Sequence, residues 1–366
     1  MFGNIYNGKR VLITGHTGFK GSWLTTWLLH LGADIYGVSK DIPTNPSMFK
    51  ALGLGSHINH HFEDIRNIDA MRAILNKVKP DFIFHLAAQA IVSDSYENPL
   101  ETISTNVMGT ANVLELARSL EHNCNVVVVT SDKCYENVEW VWGYKETDSM
   151  GGKDIYSGSK GAAEVIFHAF QQSFFADHSG YVKLATGRAG NVIGGGDWAS
   201  DRIIADCMRA WNIGQKVELR CPTATRPWQH VLEPLSGYLT LGKGLAENTM
   251  HHGEQYNFGP RSEQNRTVKD LISDLSSYWN FKDPKDAYLV TDNIPFHEAG
   301  LLKLNCDKAL FNLKWEANLT YLECVEFVSE WYYEYYHDGK NMLDYTQSQI
   351  SKYYEVASIN KRVWCL

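Results

Sequence analysis

The sequence predicts an α/β fold, a doubly wound parallel sheet with a smaller C-terminal lobe. Three observations predict it. Short runs that are apolar on both faces alternate with longer helical patterns through the first half of the chain. Strands of that kind belong to parallel sheets covered on both sides by helices. A glycine-rich loop stands between the first such strand and the first helix, and the regular alternation loosens after about Asn191.

Taken in order, Val11-Leu12-Ile13-Thr14 is a buried strand, followed by a helix from about Gly18 to Leu31. Asp34 to Ser39 is a second strand and His57 to Phe62 a third. A helix that stops before Pro80 leads to a fourth strand, Asp81 to Leu86. A helix from about Asn106 to Leu120 precedes the fifth strand, Asn125 to Thr130. Beyond Asn191 short strands such as Lys216 to Arg220 lie among loops, and Tyr256-Asn257-Phe258 is a late element of the main sheet. The aromatic stretch Trp331 to Tyr336 is expected to be a packed helix face. Residues 1–190, with 228–259 returning to them, are expected to form the cofactor domain, and 191–227 with 260–366 the substrate lobe.

Composition narrows the function. A chain of 366 residues with a net charge of −8 does not suggest a general binder of phosphate backbones, so nucleic acid is not expected as a partner. Any anionic ligand must be held by a local site. No apolar stretch has the length to span a bilayer and no signal-peptide pattern opens the chain, so a cytoplasmic protein without a membrane partner is expected. The seven cysteines are scattered, without paired spacing, and read as reduced thiols. The pairs His60-His61 and His251-His252 read as solvated or structural, and no metal site is expected.

The loop Thr14-Gly15-His16-Thr17-Gly18-Phe19-Lys20-Gly21 carries the first chemistry. Gly15 turns tightly, Gly18 lets backbone approach a diphosphate, and Gly21 lets the helix pack close to the strand. The helix N-terminus adds amide donors and partial positive charge. The spacing GxxGxxG, with Asp64-Ile65-Arg66, His85-Leu86-Ala87-Ala88-Gln89 and Thr105-Asn106-Val107-Met108-Gly109-Thr110, resembles the extended short-chain dehydrogenase/reductase superfamily, in its nucleotide-sugar branch. The resemblance implies a Rossmann sheet and NAD held by Gly15, Thr17, Gly18, Phe19 and Gly21. It also places Asp64 and Ile65 at the adenine, Leu86, Ala87 and Ala88 along the dinucleotide cleft, and Thr105 nearby. The second strand ends Val38-Ser39-Lys40 where an acidic residue ordinarily bonds the ribose. Ser39 can bond that hydroxyl and Lys40 would tolerate a 2′-phosphate. The residues thus leave NAD and NADP open, and the resemblance favours NAD. His16 is bulky for this loop and is expected to crowd the diphosphate and weaken cofactor retention.

Tyr156 and Lys160 stand four residues apart, on one face of a helix. A free phenol, with a pKa of roughly 10, is a poor base at neutral pH. A nearby ammonium favours the phenolate, and Lys160 can also bond the cofactor's ribose. With Ser131 at the end of the valine strand, this set resembles the superfamily's active site.

The segment Thr130-Ser131-Asp132-Lys133-Cys134-Tyr135 says more. Sugar 4,6-dehydratases carry Asp-Glu after the Ser or Thr, because breaking a C–O bond needs an acid and a base. Here Asp132 keeps the Asp and Lys133 replaces the Glu. That Asp-Lys resembles the CDP-glucose 4,6-dehydratases, which implies CDP-glucose as substrate and deoxysugar supply for surface polysaccharide. In the implied reaction Tyr156 takes the C4 hydroxyl proton as hydride passes to NAD, and Asp132 protonates the departing C6 hydroxyl. Lys133 removes the C5 proton if neutral, the role expected here, or stabilises the enolate if charged.

In the second half, Asn191 within Arg188 to Trp198 resembles the family's junction between cofactor and sugar, and Arg226 within Arg226 to Val231 resembles the arginine that grips the diphosphate. Arg202, Tyr256, Asn257, His297 and Glu298 are further candidates for the nucleotide pocket. Relatives dimerise through helices beside the sheet, which implies a homo-oligomer. Four rivals remain at this level, among them a 4,6-dehydratase acting on another nucleotide sugar and a dehydrogenase that releases NADH and needs stoichiometric cofactor. A nucleotide-sugar 4-epimerase would share Tyr156 and NAD, and a dinucleotide sensor would keep the fold without chemistry.

Overall fold

In the computed structural model the described residues are 1–177, 180–261, 264–279, 281, 283–291 and 301–366. Seven parallel strands form the central sheet: β1 (Arg10–Thr14), β2 (Asp34–Ser39), β3 (Asn59–Phe62), β4 (Phe82–His85), β5 (Cys124–Val129), β6 (Val182–Ala189) and β7 (Gln255–Phe258). Their spatial order is β3-β2-β1-β4-β5-β6-β7. The order reverses between β1 and β4, so a crevice opens at their carboxyl ends, where doubly wound sheets bind ligands.

Alternation within the apolar strands sends side chains to both faces. Val11, Ile13, Phe82, Phe84 and Val127 join one core, and Leu12, Ile83, Val126 and Val128 join the other. The principal helices are α1 (Phe19–His30), α2 (Ile68–Val78), α3 (Gly109–Arg118), α4 (Ile155–Phe174), α5 (Ile203–Asn212), α6 (Leu232–Glu247), α7 (Tyr321–Tyr333) and α8 (Met342–Ile359). Trp23, Trp27 and Leu28 of α1 and Leu235 and Leu239 of α6 cover the first face. Met71 and Leu75 of α2, Val113 and Leu114 of α3 and Phe167 of α4 cover the second. The expected helix from Asn106 begins instead with a π turn, Ser104–Met108, before α3. Such turns recur at functional sites.

Outside the sheet the strands are short. Val192–Ile193 pairs with Gln229–His230, Thr225–Arg226 with Arg266–Thr267, and Val217–Leu219 with Tyr288–Val290. The aromatic stretch around Trp331 is a packed helix end, as its composition predicts: Trp331 and Tyr332 are fully buried and pack on Trp198. The chain then returns to the sheet layer, where Tyr353 of α8 and Trp364 pack on Trp27 of α1. Among the described residues no helix is long and apolar enough to cross a membrane.

Candidate active site

The glycine loop is set by close approach. A Cβ on Gly15, which has a φ of 78°, would lie 2.7 Å from the Ala87 amide nitrogen, and one on Gly21 would lie 2.0 Å from the Gly15 carbonyl oxygen. No side chain fits at either position. The loop is therefore a backbone cradle at the mouth of α1, whose N-terminal amides suit a diphosphate. Thr14 fastens it to the end of β4, since its carbonyl accepts from the Leu86 amide at 3.0 Å and its hydroxyl bonds His85 Nδ1 at 2.7 Å. Leu86, Ala87 and Ala88 follow, all half-buried along the crevice.

At the end of β2 the Ser39 hydroxyl accepts from the Thr17 amide at 3.2 Å and bonds His16 Nδ1 at 2.9 Å. Thr17 donates its hydroxyl to the Asp41 carbonyl at 2.6 Å. The His16 ring is fully buried, lies nearly perpendicular to Phe49 and fills the space where Gly37 would carry a Cβ. The crowding expected of His16 thus falls on β2 and the ribose end of the loop. Burial pushes its pKa down to about 4, so it acts there as a neutral ring. Lys40 is tied to Glu101 at 3.1 Å, and Arg66 bonds both Asp64 and Glu101. Ile65 is buried against Gly109. Thr105 lies half-buried in the π turn.

The catalytic candidates converge at the carboxyl end of β5. Asp154 caps α4 by accepting the Ser157 amide at 2.8 Å, which fixes where Tyr156 and Lys160 emerge. Asn106 locks the helix from the side, donating to Ser159 Oγ at 2.8 Å and to the Gln89 carbonyl at 3.0 Å. Tyr156 is buried, which raises its pKa, while the Arg202 charge and a hydrogen bond with Ser131 pull it back toward the phenolate. The Lys160 ammonium lies 6.0 Å from the Tyr156 ring centre, and burial pushes its pKa down to about 8.

Ser131 caps the short turn Asp132–Cys134, accepting the Lys133 amide at 3.2 Å and donating to Asp132 Oδ1 at 3.0 Å. Asp132 is buried, and burial raises its pKa against the opposing charges of Lys133 and Lys20. A buried carboxyl raised in this way is suited to carry a proton for donation. Asp132, Lys133, Asn191 and Arg226 line one narrow crevice with Pro227 and Leu302. Four residues from three separated stretches of sequence are thereby brought together. Arg202 flanks them, donating to the Ala90 carbonyl at 3.3 Å.

Two candidates do not reach the crevice. Tyr256 and Asn257 are fully buried on β7. The Tyr256 hydroxyl bonds His251 Nδ1 at 2.9 Å, and Asn257 bonds the Tyr135 hydroxyl at 2.8 Å and the carbonyls of Tyr144 and Asn305. Their polar atoms hold the core together, which corrects their expected place in the nucleotide pocket. His297 and Glu298 lie outside the described residues. His251 and His252 are buried and bonded within the core. Sequence reasoning missed Lys20, a half-buried lysine in the first turn of α1. Burial pushes its pKa down to about 8, and it feels Asp132, Arg202, Lys160 and Asp197. It also missed Glu164 of α4, whose carboxylate accepts from the Thr130 hydroxyl, the Thr186 hydroxyl and Arg188. Their signal was faint: a lysine inside a glycine loop and a lone carboxylate on an apolar helix face.

Comparison with known proteins agrees with this fold. The pattern of the GDP-mannose 4,6 dehydratase family matches residues 12–327. CDP-glucose 4,6-dehydratase of Salmonella typhimurium is 45% identical over 353 residues, covering 96% of this chain and 97% of the relative. The chain belongs to the CDP-glucose 4,6-dehydratase family. Solved structures share the fold: an epimerase of Methanothermobacter thermautotrophicus has a TM-score of 0.78 at 21% identity, covering 91% of this chain and 94% of that one. dTDP-glucose 4,6-dehydratase of Bacillus anthracis, in complex with NAD, has a TM-score of 0.75 at 18% identity, covering 93% and 100%. Dehydratases and epimerases therefore share one scaffold.

Proposed function

We propose that the protein converts CDP-glucose to CDP-4-keto-6-deoxyglucose and water, with NAD bound at the glycine loop. The observation that carries the reading is the buried Asp132 beside Lys133 in the crevice shared with Asn191 and Arg226, its carboxyl pushed upward by burial. The 45% identity to a CDP-glucose 4,6-dehydratase supports the cytidine form of the substrate.

The dinucleotide rests on Gly15, Thr17, Gly18, Phe19 and Gly21, with Ser39 at the ribose, Asp64 and Ile65 toward the adenine, and Leu86 to Ala88 and Thr105 along the cleft. When bound, NAD supplies a hydride acceptor that can give the hydride back. Tyr156 removes the proton of the C4 hydroxyl, and Ser131 orients that hydroxyl. Lys160 holds the cofactor's ribose and keeps positive charge near the phenolate. The C4 ketone acidifies C5–H. Lys133 takes that proton or steadies the enolate, and Asp132 gives its proton to the C6 hydroxyl, which leaves as water. A proton is returned to C5, from Lys133 if it is the base, as a bound cofactor would give its hydride back at C6, so the overall reaction would carry no net redox change. Asn191, Arg202 and Arg226 hold the sugar and its diphosphate, a task for which the planar guanidinium is suited. Residues 1–190 and 228–259 serve the cofactor in this reading, and 191–227 with 260–366 the nucleotide sugar.

Mass spectrometry tests this on purified protein given CDP-glucose and substoichiometric NAD. Loss of one water with turnover beyond the added cofactor is expected. An isomer of unchanged mass would replace this reading by a 4-epimerase, and unchanged CDP-glucose would remove it as the substrate.

A further inference from the structure

The turn that carries Asp132 and Lys133 is fastened at both ends to one buried ion pair. Thr130, just before the cap Ser131, donates its hydroxyl to Glu164 Oε1. Tyr135, just after the turn, accepts at its hydroxyl from Arg188 Nη1 at 2.7 Å. Arg188 Nη2 and Glu164 Oε2 are 2.8 Å apart, so Thr130, Glu164, Arg188 and Tyr135 close a ring around residues 131–134. All four side chains are buried.

The Tyr135 end is the more heavily bonded. Its hydroxyl donates in turn to Asn257 Oδ1 at 2.8 Å, and its ring is stacked on Tyr144 with centroids 5.3 Å apart. Asn257 also donates to the carbonyls of Tyr144 and Asn305, which joins this anchor to the lobe segment whose Leu302 lines the crevice. The Tyr135 amide closes the turn on the Asp132 carbonyl at 3.3 Å. Asp132 lies against the end of β6, the strand that bears Arg188: a Cβ on Gly190 would stand 3.1 Å from Asp132 Oδ2. A buried phenol that both donates and accepts is held in one orientation, because a satisfied buried network is rigid.

We propose that Tyr135 is a positioning residue for the elimination step, its hydroxyl between Arg188 and Asn257 fixing the turn that presents Asp132 and Lys133 to the sugar. The inference rests on the reading of Asp132 and Lys133 given above. The ring has a direction along the chain. Thr130 adjoins Ser131, which serves the C4 oxidation, whereas Tyr135 stands two residues from Lys133 and is bonded through its amide to Asp132. Loosening the ring at its two ends therefore disturbs two different steps. Small displacements suffice, since a misplacement of about 1 Å can cost roughly a hundredfold in rate.

Rapid-mixing kinetics of the NAD-loaded enzyme with CDP-glucose test this in Tyr135→Phe and Thr130→Val. Nicotinamide absorbance follows oxidation at C4, and product mass follows water loss. Tyr135→Phe keeps the ring on Tyr144 and removes only the hydroxyl. Water loss is expected to slow by about tenfold to a hundredfold while oxidation keeps its rate, so that reduced nicotinamide accumulates. Thr130→Val removes a hydroxyl from the other end of the same ring and is expected to slow oxidation, without that accumulation. Each result is the ratio of two rates in one sample, so a smaller folded fraction cancels. A wild-type ratio in Tyr135→Phe would overturn the proposal. It would mean that the backbone bonds from Gly151 to Cys134 and from Glu136 to Ser149 hold the turn unaided. The same change of ratio in both variants would also overturn it, because the ring would then be a general support. Asp132→Asn is the separate control: wild-type water loss in that variant would remove the reading of Asp132 itself.

Discussion

Glu164 and Arg188 form an ion pair of 2.8 Å with each side chain only 2% exposed. Glu164 lies one turn beyond Lys160 on α4, and Arg188 lies on β6 just before Asn191. The same carboxylate accepts from Thr130 and Thr186, so one group joins the catalytic helix to the ends of two strands. The carboxylate therefore ties α4, which carries Tyr156, to the end of β5, where Ser131 stands, although it touches neither residue.

Glu164→Gln should destabilise the protein by about 3–5 kcal/mol, because it leaves the Arg188 charge buried without its counter-charge. Chemical denaturation reads this directly. Replacing both partners with Met should recover most of the loss, since no uncompensated charge is left behind. A single variant as stable as wild type would show that Arg188 is satisfied by Tyr135 and the Glu146 carbonyl alone.

The loop makes a steric prediction. A methyl group at Gly21 meets the Gly15 carbonyl oxygen at 2.0 Å, so Gly21→Ala must push α1 away from β1. Overpacking of this kind costs about 1–3 kcal/mol, equivalent to roughly fivefold to 150-fold if it falls wholly on affinity. Titration with NADH should show that weakening, while Gly158→Ala, where a Cβ meets nothing within 4 Å, should bind as wild type does. Equal binding by both variants would mean that the cradle yields freely.

What the sequence made legible was local. The loop occupies eight residues, Tyr156 and Lys160 one helical turn, and Ser131 to Lys133 three neighbours, so each set could be recognised without knowing the fold. Strands β1, β4 and β5 were legible because burial on both faces leaves a nearly continuous apolar run. Lys20, Glu164 and Asn106 were not. Their partners lie far along the chain, as Thr130, Thr186 and Arg188 do for Glu164. Tyr256 and Asn257 misled for a related reason. Polar side chains near the end of a late strand suggested a ligand, but β7 is covered on both sides and turns both into the core.

In the proposed reaction Asp132 and Lys133 separate elimination from oxidation. Asp132→Asn removes the proton donor to the C6 hydroxyl but leaves Tyr156, Ser131 and Lys160 in place. Dehydration should slow by about 10²–10⁴-fold, the usual worth of a general acid. The C4 hydride would still leave, so reduced nicotinamide should accumulate and absorb where wild type shows almost none. Lys133→Ala divides the two roles of the lysine. Loss of C5–H exchange with solvent would mark it as the base, whereas retained exchange with slow water loss would mark it as the enolate's counter-charge.

The final prediction concerns stability and pH. Burial holds the pKa of His230 at about 3, against 6.5 for a free imidazole. The ring is fully buried between Trp23 and Phe327, with Nδ1 accepting the Leu232 amide. It therefore stays neutral in the folded chain and takes up a proton on unfolding at any pH between those two values. The unfolded state binds more protons in that window, so stability rises with pH through it and is lost as pH falls from 6.5. Each such histidine contributes a slope of about 1.4 kcal/mol per pH unit. His230→Leu should lower the slope of unfolding free energy between pH 6 and about 5 by that amount, with His16 and His85 still contributing theirs. An unchanged slope would mean that His230 is protonated in the folded protein, which its apolar surroundings and single accepting hydrogen bond argue against.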